Sequence, residues 1–175
     1  HGSARFATAK ETAALARADS GLLIGRGAEA CLITCKGAEA PAHMPQAKKS
    51  LGLIYAVNAF GADHQSSEHD PLYEEGVGEF YLKRLATMGL STPQPPGSMT
   101  DEKIRYAWRT QCFYSAMDTY SLCQFVFGPS WELYGPEETA QILSAGTGWD
   151  VTIDEILTVG ERRINMMRAF NARQG

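Results

Sequence analysis

Apolar residues recur at three-and-four spacing along most of this chain, which is the pattern of helices that bury one face. Three runs carry start signals: acidic residues follow Thr100 and Pro136, and Thr152 opens a capping box. We therefore expect an all-α, multihelical domain. The predicted helices cover residues 5–17, 47–60, 72–90, 100–117, 136–144 and 153–170.

Glycine and proline separate these helices. A β-prone piece at Cys31–Thr34 predicts one small strand that ends at Lys36. A polar loop, ADHQSSEHD, follows Gly61, and a proline-rich bend covers residues 91–98. On the predicted helix 100–117 the apolar positions are Ile104, Trp108, Cys112 and either Tyr114 or Ser115. On the last helix the predicted buried stripe is Ile153, Ile156, Leu157, Gly160, Ile164, Met167 and Phe170.

Composition narrows the class of protein. The 175 residues, 44% of them hydrophobic, suffice for one domain with a sizeable core. A net charge of -4 without long charged runs argues against nucleic acid and membrane surfaces as partners. No apolar run approaches the ~20 residues that span a bilayer, so we expect a cytoplasmic protein. Residues 1–3, His-Gly-Ser, look like the remnant of an affinity tag.

The four cysteines are too few and too scattered for a disulfide scaffold, so reduced thiols are expected. Cys31 and Cys35 form a C-x3-C pair, which can be one edge of a metal site when two further ligands lie nearby. A pair of small buried residues is the favoured interpretation, since free cysteine is among the most buried residue types.

The polar loop holds a second candidate group: His64, together with Asp63, Glu68, His69 and Asp70. Imidazole beside carboxylates can bind a metal or move protons near neutral pH. The alternative is a polar loop that connects two helices, and spacing alone favours it.

Asp118 and Cys123 stand where a predicted helix ends, among several aromatic residues. Polar groups in apolar surroundings need partners, which spacing cannot name. Lys36 and Glu39 are interpreted as a surface pair beside a turn. The segment Glu161-Arg162-Arg163 is interpreted as a solvated helix face.

Four stretches, in this order, carry a resemblance. They are IGRGAEACLITCKGAEAP, GLIYAVNAFGADH, DTYSLCQF and TGWDVTIDEILTVGERRINMMRAFNARQG. Together they resemble the carboxy-terminal domains of the tungsten-pterin aldehyde ferredoxin oxidoreductase family, across nearly the whole chain. Four ordered matches are more specific than any single motif.

The resemblance implies that residues 4–175 are a carboxy-terminal helical domain, part of a larger enzyme that oxidises aldehydes to carboxylic acids. It implies a tungstopterin or molybdopterin, and a 4Fe-4S cluster that passes electrons to ferredoxin or another carrier. By the same resemblance Asp118 and Leu122 contact the pterin and Cys123 is one of four cluster thiolates. His64 and Glu39 take the catalytic positions.

This sequence also departs from the family pattern. The family's other three cluster cysteines form a C-x2-C-x3-C motif that is absent here, and Ser121 replaces the glycine of D-x-x-G-L-C. Met44-Pro45-Gln46 stands where the family commonly has Asp-Pro-Arg. We therefore expect this chain alone to be inactive and without bound cofactor. We also expect exposed apolar surface where amino-terminal domains pack, with a homodimer as another way to cover it. The alternative is a helical interaction or assembly domain without redox activity.

Overall fold

The computed structural model describes residues 33–36, 38–41, 43–128 and 131–174. The all-α prediction is confirmed, since helices dominate these ranges. The predicted helix over residues 5–17 lies outside them. The helices are α1 (Lys49–Val57), α2 (Glu79–Thr87), α3 (Asp101–Thr119), α4 (Gln124–Phe127), α5 (Pro136–Thr147) and α6 (Ile153–Gln174). A 3-10 helix covers Asp70–Tyr73, and two short strands, β1 (Thr34–Cys35) and β2 (Ala38–Glu39), pair antiparallel.

The core is built on α3 and α6, which cross at very short range. A Cβ atom added to Gly160 of α6 would lie 1.7 Å from the backbone oxygen of Cys112 on α3, so only glycine permits this approach. Around the crossing, Phe113 and Met117 of α3 and Ile156 of α6 are fully buried. The capping box is present, because the Thr152 hydroxyl accepts from the Glu155 amide and the Glu155 carboxylate accepts from the Thr152 amide.

The apolar positions predicted for α3 and α6 are only partly buried. Ile104 and Trp108 are 46% and 38% exposed, whereas Lys103, Tyr106 and every residue from Thr110 to Met117 are buried. The reason is that α1, α6 and the polar loop after Gly61 enclose the second half of α3, so burial there does not follow one stripe. On α6 the stripe from Ile156 to Ile164 is confirmed, but Phe170 is 63% exposed.

One predicted helix is divided. Residues 72–90 contain the end of the 3-10 helix, a turn, and then α2 from Glu79. Gly76 in the turn has φ +91, a left-handed conformation that interrupts a helix. The side chain of Arg84 on α2 donates to the backbone oxygen of Trp131, which attaches α2 to the segment before α5.

The two strands pack against the end of α1. The ammonium of Lys36 donates to the carbonyl of Ala56 at 2.8 Å and to that of Asn58, so it caps the carboxyl end of α1. Lys36 is exposed, as predicted, and its pairing with Glu39 stays a prediction. Cys35 is half-buried, and its thiol donates to Tyr55 O at 2.9 Å. A Cβ atom on Gly61, whose φ is +107, would lie 2.6 Å from Cys35 O, which fixes the turn before the polar loop.

Within the described ranges, none of the helices is long and apolar enough to cross a membrane.

Candidate functional site

The polar loop of residues 62–69 is fixed at its end by Asp70. This carboxylate is fully buried; one oxygen accepts from the amide of Ser50 at 3.0 Å and the other from that of Leu51 at 3.2 Å. It therefore caps α1 from a distance, in place of the missing side-chain cap at Lys48. The same carboxylate forms a 2.9 Å ion pair with Lys103 of α3, in which both side chains are fully buried. The loop, α1 and α3 thus meet at one buried charge pair.

Two tyrosines of α3 hold the loop closer to its middle. The hydroxyl of Tyr106 donates to the backbone oxygen of His69 at 2.7 Å. The hydroxyl of Tyr114 donates to the buried Glu68 carboxylate at 3.1 Å, and the other Glu68 oxygen accepts from the amide of His69. Burial, aided by Glu68, raises the pKa of both tyrosines well above the ordinary value. The loop conformation is therefore determined by α3.

Three imidazoles lie together, two from this loop and one from His43. The ring centroids of His43 and His64 are 5.0 Å apart, those of His43 and His69 are 4.6 Å apart, and those of His64 and His69 are 6.2 Å apart. Lys48, the residue just before α1, places its ammonium 3.2 Å from Nδ1 of both His43 and His69. The sequence predicted a role for His64 and included His69 in its group, but it gave no signal for His43 or Lys48.

A cavity of about 340 Å³ opens beside the histidines. Its walls combine polar and apolar side chains. Such a cavity can hold a small molecule that has both polar and apolar groups. The lining residues are Lys48, His64, Gln65, Ser67, Glu68, His69, Pro71, Leu72, Tyr114 and Phe125.

The second predicted group, Asp118 to Cys123, lies at the carboxyl end of α3. Asp118 is exposed, and its carboxylate pairs with Arg163 of α6 at 3.1 Å and accepts from Gln124 at 3.2 Å. The prediction that Arg163 belongs to a purely solvated face is therefore wrong, because it joins α6 to the end of α3. It also donates to the hydroxyl of Ser115 at 3.2 Å.

The turn between Asp118 and Cys123 has an unusual backbone. Ser121 has φ +57, the left-handed conformation that glycine adopts at least cost. Leu122 follows half-buried against the core, with its amide bonded to Met117 O at 2.9 Å. Cys123 is exposed just before α4. The polar pair is thus at the surface and not among buried aromatic side chains.

The structure brings the His64 loop and the Asp118 segment to one side of the molecule. Phe125 shares the cavity with His64, and a smaller cleft is lined by Ser66, Tyr114, Asp118 and Arg163, among others. Glu39 is distant in sequence from both segments and lies on β2, in the hairpin that packs against Gly61.

The metal-site interpretation of the polar loop finds no support in the part of the chain that the structure describes, where no three His, Cys, Asp or Glu side chains could hold an ion. The described cysteines, Cys35, Cys112 and Cys123, are free thiols. Burial raises the pKa of Cys112 to about 12, so this thiol stays protonated at neutral pH.

A protein-family model described as aldehyde ferredoxin oxidoreductase, domains 2 and 3, matches residues 10–175. This chain belongs to the aldehyde ferredoxin oxidoreductase family. The resemblance inferred from four sequence stretches is thereby confirmed.

Curated members of the aldehyde ferredoxin oxidoreductase family support the assignment. The chain is similar to the tungsten-containing aldehyde ferredoxin oxidoreductase of Pyrococcus furiosus, with 29% identity over 144 residues, which cover 82% of this chain and 21% of that protein. The Thermococcus kodakarensis enzyme of the same name is 28% identical over 144 residues, with the same coverage. The chain therefore spans about a fifth of the length of these relatives.

Proposed function

We propose that this chain is the carboxy-terminal part of a tungsten or molybdenum pterin oxidoreductase that oxidises aldehydes to carboxylic acids. Its electrons leave through a 4Fe-4S cluster to ferredoxin or another carrier. The observation that carries the proposal is the exposure of Asp118 and Cys123 on one turn, beside the cavity that His64 lines. Membership of the aldehyde ferredoxin oxidoreductase family supplies the chemical class.

Asp118 fits the pterin-binding role. An ionised carboxylate has about four acceptor sites, and in the described residues Arg163 and Gln124 use one each. With its side chain 41% exposed, the carboxylate can still accept two parallel N–H donors from a pyrimidinone ring. Leu122, half-buried beside it, supplies an apolar neighbour.

The iron-sulfur cluster does not fit the described residues alone. A 4Fe-4S cluster needs four thiolates, and Cys123 is the one exposed cysteine among the three that the structure describes. Cys112 is buried and Cys35 is bonded to the backbone of α1, so neither is in position to join it. Cys123 would therefore supply one ligand, and the other three would come from outside the described ranges.

His64 is proposed as the residue that holds a proton at the reaction site. Oxidation of an aldehyde by water releases two protons and two electrons, and the bound metal-pterin group supplies the place where the two electrons go. In the described residues neither ring nitrogen of His64 has a hydrogen-bond partner, so one is free to accept a proton from the cavity. Glu39 is proposed as a second catalytic residue on family grounds alone.

We further propose that the 175-residue chain is inactive alone, because one thiolate and one carboxylate do not complete either cofactor site. The test uses the longest natural polypeptide that contains this sequence, purified anaerobically and assayed for W, Mo and Fe. Near-stoichiometric W or Mo with about four Fe per chain is expected. Cys123→Ser then lowers Fe, and Asp118→Ala lowers W or Mo. Metal-free, well-folded protein would refute the proposal.

The Asp118–Arg163 ion pair favours a second candidate, an interaction or assembly domain that retains the scaffold without the redox chemistry. Large apolar side chains are exposed, including Phe125 at 78%, Trp149 at 73% and Met166 at 72%. Light scattering of the 175-residue chain tests this function: a tight homodimer that Trp149→Glu or Met166→Glu dissociates favours it. A monomer at all concentrations, with metal in the longer polypeptide, favours the oxidoreductase.

A further inference from the structure

The ammonium of Lys48 lies between two imidazole rings, 3.2 Å from Nδ1 of His43 and 3.2 Å from Nδ1 of His69. An ammonium group can only donate hydrogen bonds, so both Nδ1 atoms accept and neither carries a proton. Each ring must then be neutral, with its proton on Nε2. One lysine therefore sets the protonation state of two histidines.

The far side of the His69 ring requires the same tautomer. Its Nε2 atom lies 2.7 Å from the backbone oxygen of His64, and a carbonyl oxygen can only accept. Nε2 is therefore the protonated nitrogen, as the contact with Lys48 demands. Through this ring Lys48 is also connected to the backbone that carries His64.

His64 differs from its two neighbours. Its ring lines the cavity, and its nitrogens have no hydrogen-bond partner within the described ranges. The ring of His43 is only 5.0 Å away, centroid to centroid. A neutral His43 places no imidazolium charge beside His64.

We propose that Lys48 is a positioning residue that keeps His43 and His69 neutral, and so makes His64 the one imidazole of the cluster that takes up a proton. The inference deepens the proposed function and rests on it for the role of His64. It adds two histidines and a lysine that are absent from the motifs carrying the family resemblance.

The backbone holds Lys48 in place. It precedes α1 directly, its amide donates to Met44 O at 3.1 Å, and its carbonyl accepts from the amide of Gly52 at 3.0 Å. The side chain thus extends from a fixed helix start, which lowers the entropy lost when the ammonium bridges two rings. Of its three donors, two serve His43 and His69, and in the described residues the third has no protein acceptor.

The electrostatic surroundings agree with the geometry. Burial lowers the pKa of His43 most, followed by the charge of Lys48. Burial also lowers the pKa of His69 most; the bond to the His64 carbonyl and the charge of Asp70 act in the opposite direction, but the net shift is downward. Both rings therefore remain neutral at a pH where an ordinary histidine begins to protonate.

The other charged and titratable groups around the cluster are already bonded. Glu68 accepts from the amide of His69 and from the hydroxyl of Tyr114. Asp70 is paired with Lys103 and with two amides of α1, and the hydroxyl of Tyr106 donates to His69 O. None of these contacts places a donor on Nδ1 of His43 or His69, so Lys48 alone performs that function among the described residues.

The test is NMR of the full 175-residue chain labelled with 15N-histidine, which gives ring signals from only four imidazoles because the sequence has four histidines. Ring 15N shifts report the tautomer and the pKa of each. In the unsubstituted 175-residue chain, His43 and His69 are expected as Nε2–H tautomers with lowered pKa values. In Lys48→Met both pKa values are expected to rise, because the charge that opposes protonation of the two rings is removed.

Two further variants separate charge from structure. Lys48→Arg keeps a charged donor and is expected to preserve the two tautomers. Lys49→Met removes the same charge one residue away, where the side chain contacts neither ring, and should leave all four titrations unchanged. If Lys48→Met fails to fold, Lys48→Gln, which can still donate but carries no charge, replaces it.

Nδ1–H tautomers in the unsubstituted chain, or unchanged pKa values in Lys48→Met, would overturn the inference. These outcomes are independent of the metal assay, because they are read from imidazole nitrogens in a chain that need hold no metal. If the longer polypeptide contains no metal but His43 and His69 keep their Nε2–H tautomers, the proposed function is wrong and the effect of Lys48 on the two rings stands.

Discussion

Removing the Asp70 side chain should damage this fold more than any single surface change. The carboxylate accepts from two α1 amides and pairs with Lys103 at 2.9 Å, with both side chains fully buried. Breaking a buried ion pair by deleting one partner costs about 3–5 kcal/mol, since the other charge is left without compensation. Loss of the helix cap adds about 1 kcal/mol. Asp70→Ala should therefore lower the free energy of unfolding by about 4–6 kcal/mol, a large part of a typical domain's stability.

The remaining partners make the two deletions unequal. Without Asp70, Lys103 keeps a 3.4 Å contact to the backbone oxygen of Gln94 and a position 5.8 Å from the centroid of the Tyr106 ring, neither of which supplies a negative charge. Without Lys103, Asp70 keeps both α1 amides, so Lys103→Met should cost less than Asp70→Ala. The double variant should cost clearly less than the sum of the two, because it leaves no unpaired charge.

Urea unfolding followed by circular dichroism measures these differences through the midpoint at constant slope. The matched control is Lys83→Met, which breaks an equally short 2.9 Å pair with Glu79 whose side chains are 73% and 81% exposed. This control should change the free energy of unfolding by no more than about 0.5 kcal/mol. A cost below about 1 kcal/mol for Asp70→Ala, or strict additivity in the double variant, would refute the reasoning.

Three other perturbations follow from the packing. Gly160→Ala should lower the free energy of unfolding, measured by thermal unfolding, by about 3 kcal/mol, because the added Cβ would collide with Cys112 O. Gly146→Ala is the control: its Cβ would meet nothing within 4 Å, so the change should be neutral or stabilising. Equal costs for the two variants would contradict the close helix crossing. A thiol reagent at pH 8 should modify the exposed Cys123 quickly. Cys112, whose pKa is raised by burial to about 12, should react only after denaturation. Equal reaction rates would exclude the burial of Cys112. Lys36→Met should weaken the carboxyl end of α1 by about 1–2 kcal/mol, seen as faster amide exchange there, and unchanged protection would show that the cap contributes nothing.

Several features were predictable because their signals are local. The helix starts at Thr100, Pro136 and Thr152 were placed from capping residues, whose bonds span three or four positions. The family was predictable from four ordered stretches. Ser121 stands where the family has glycine, and the structure gives it φ +57, a conformation that glycine adopts at least cost.

Other features depend on partners distant in sequence, and spacing does not encode these. The partner of Asp118 proved to be Arg163, which the pattern placed on a solvated face. The burial of Lys103 is unusual for its residue type, because lysine is almost never buried without a partner. Here the partner is Asp70, in the 3-10 helix 33 residues earlier.

The sequence alone determined the class of fold, the starts of the three helices that carry capping signals, and the family, because these depend on short-range pattern and on ordered motifs. It did not determine which charges pair, which face of α3 is buried, or that His43 and Lys48 join His64. Those features follow from the way α1, α3 and the polar loop enclose one another. In that arrangement a side chain's environment is set by elements dozens of residues away, and burial makes each unpaired charge costly enough to select a single partner.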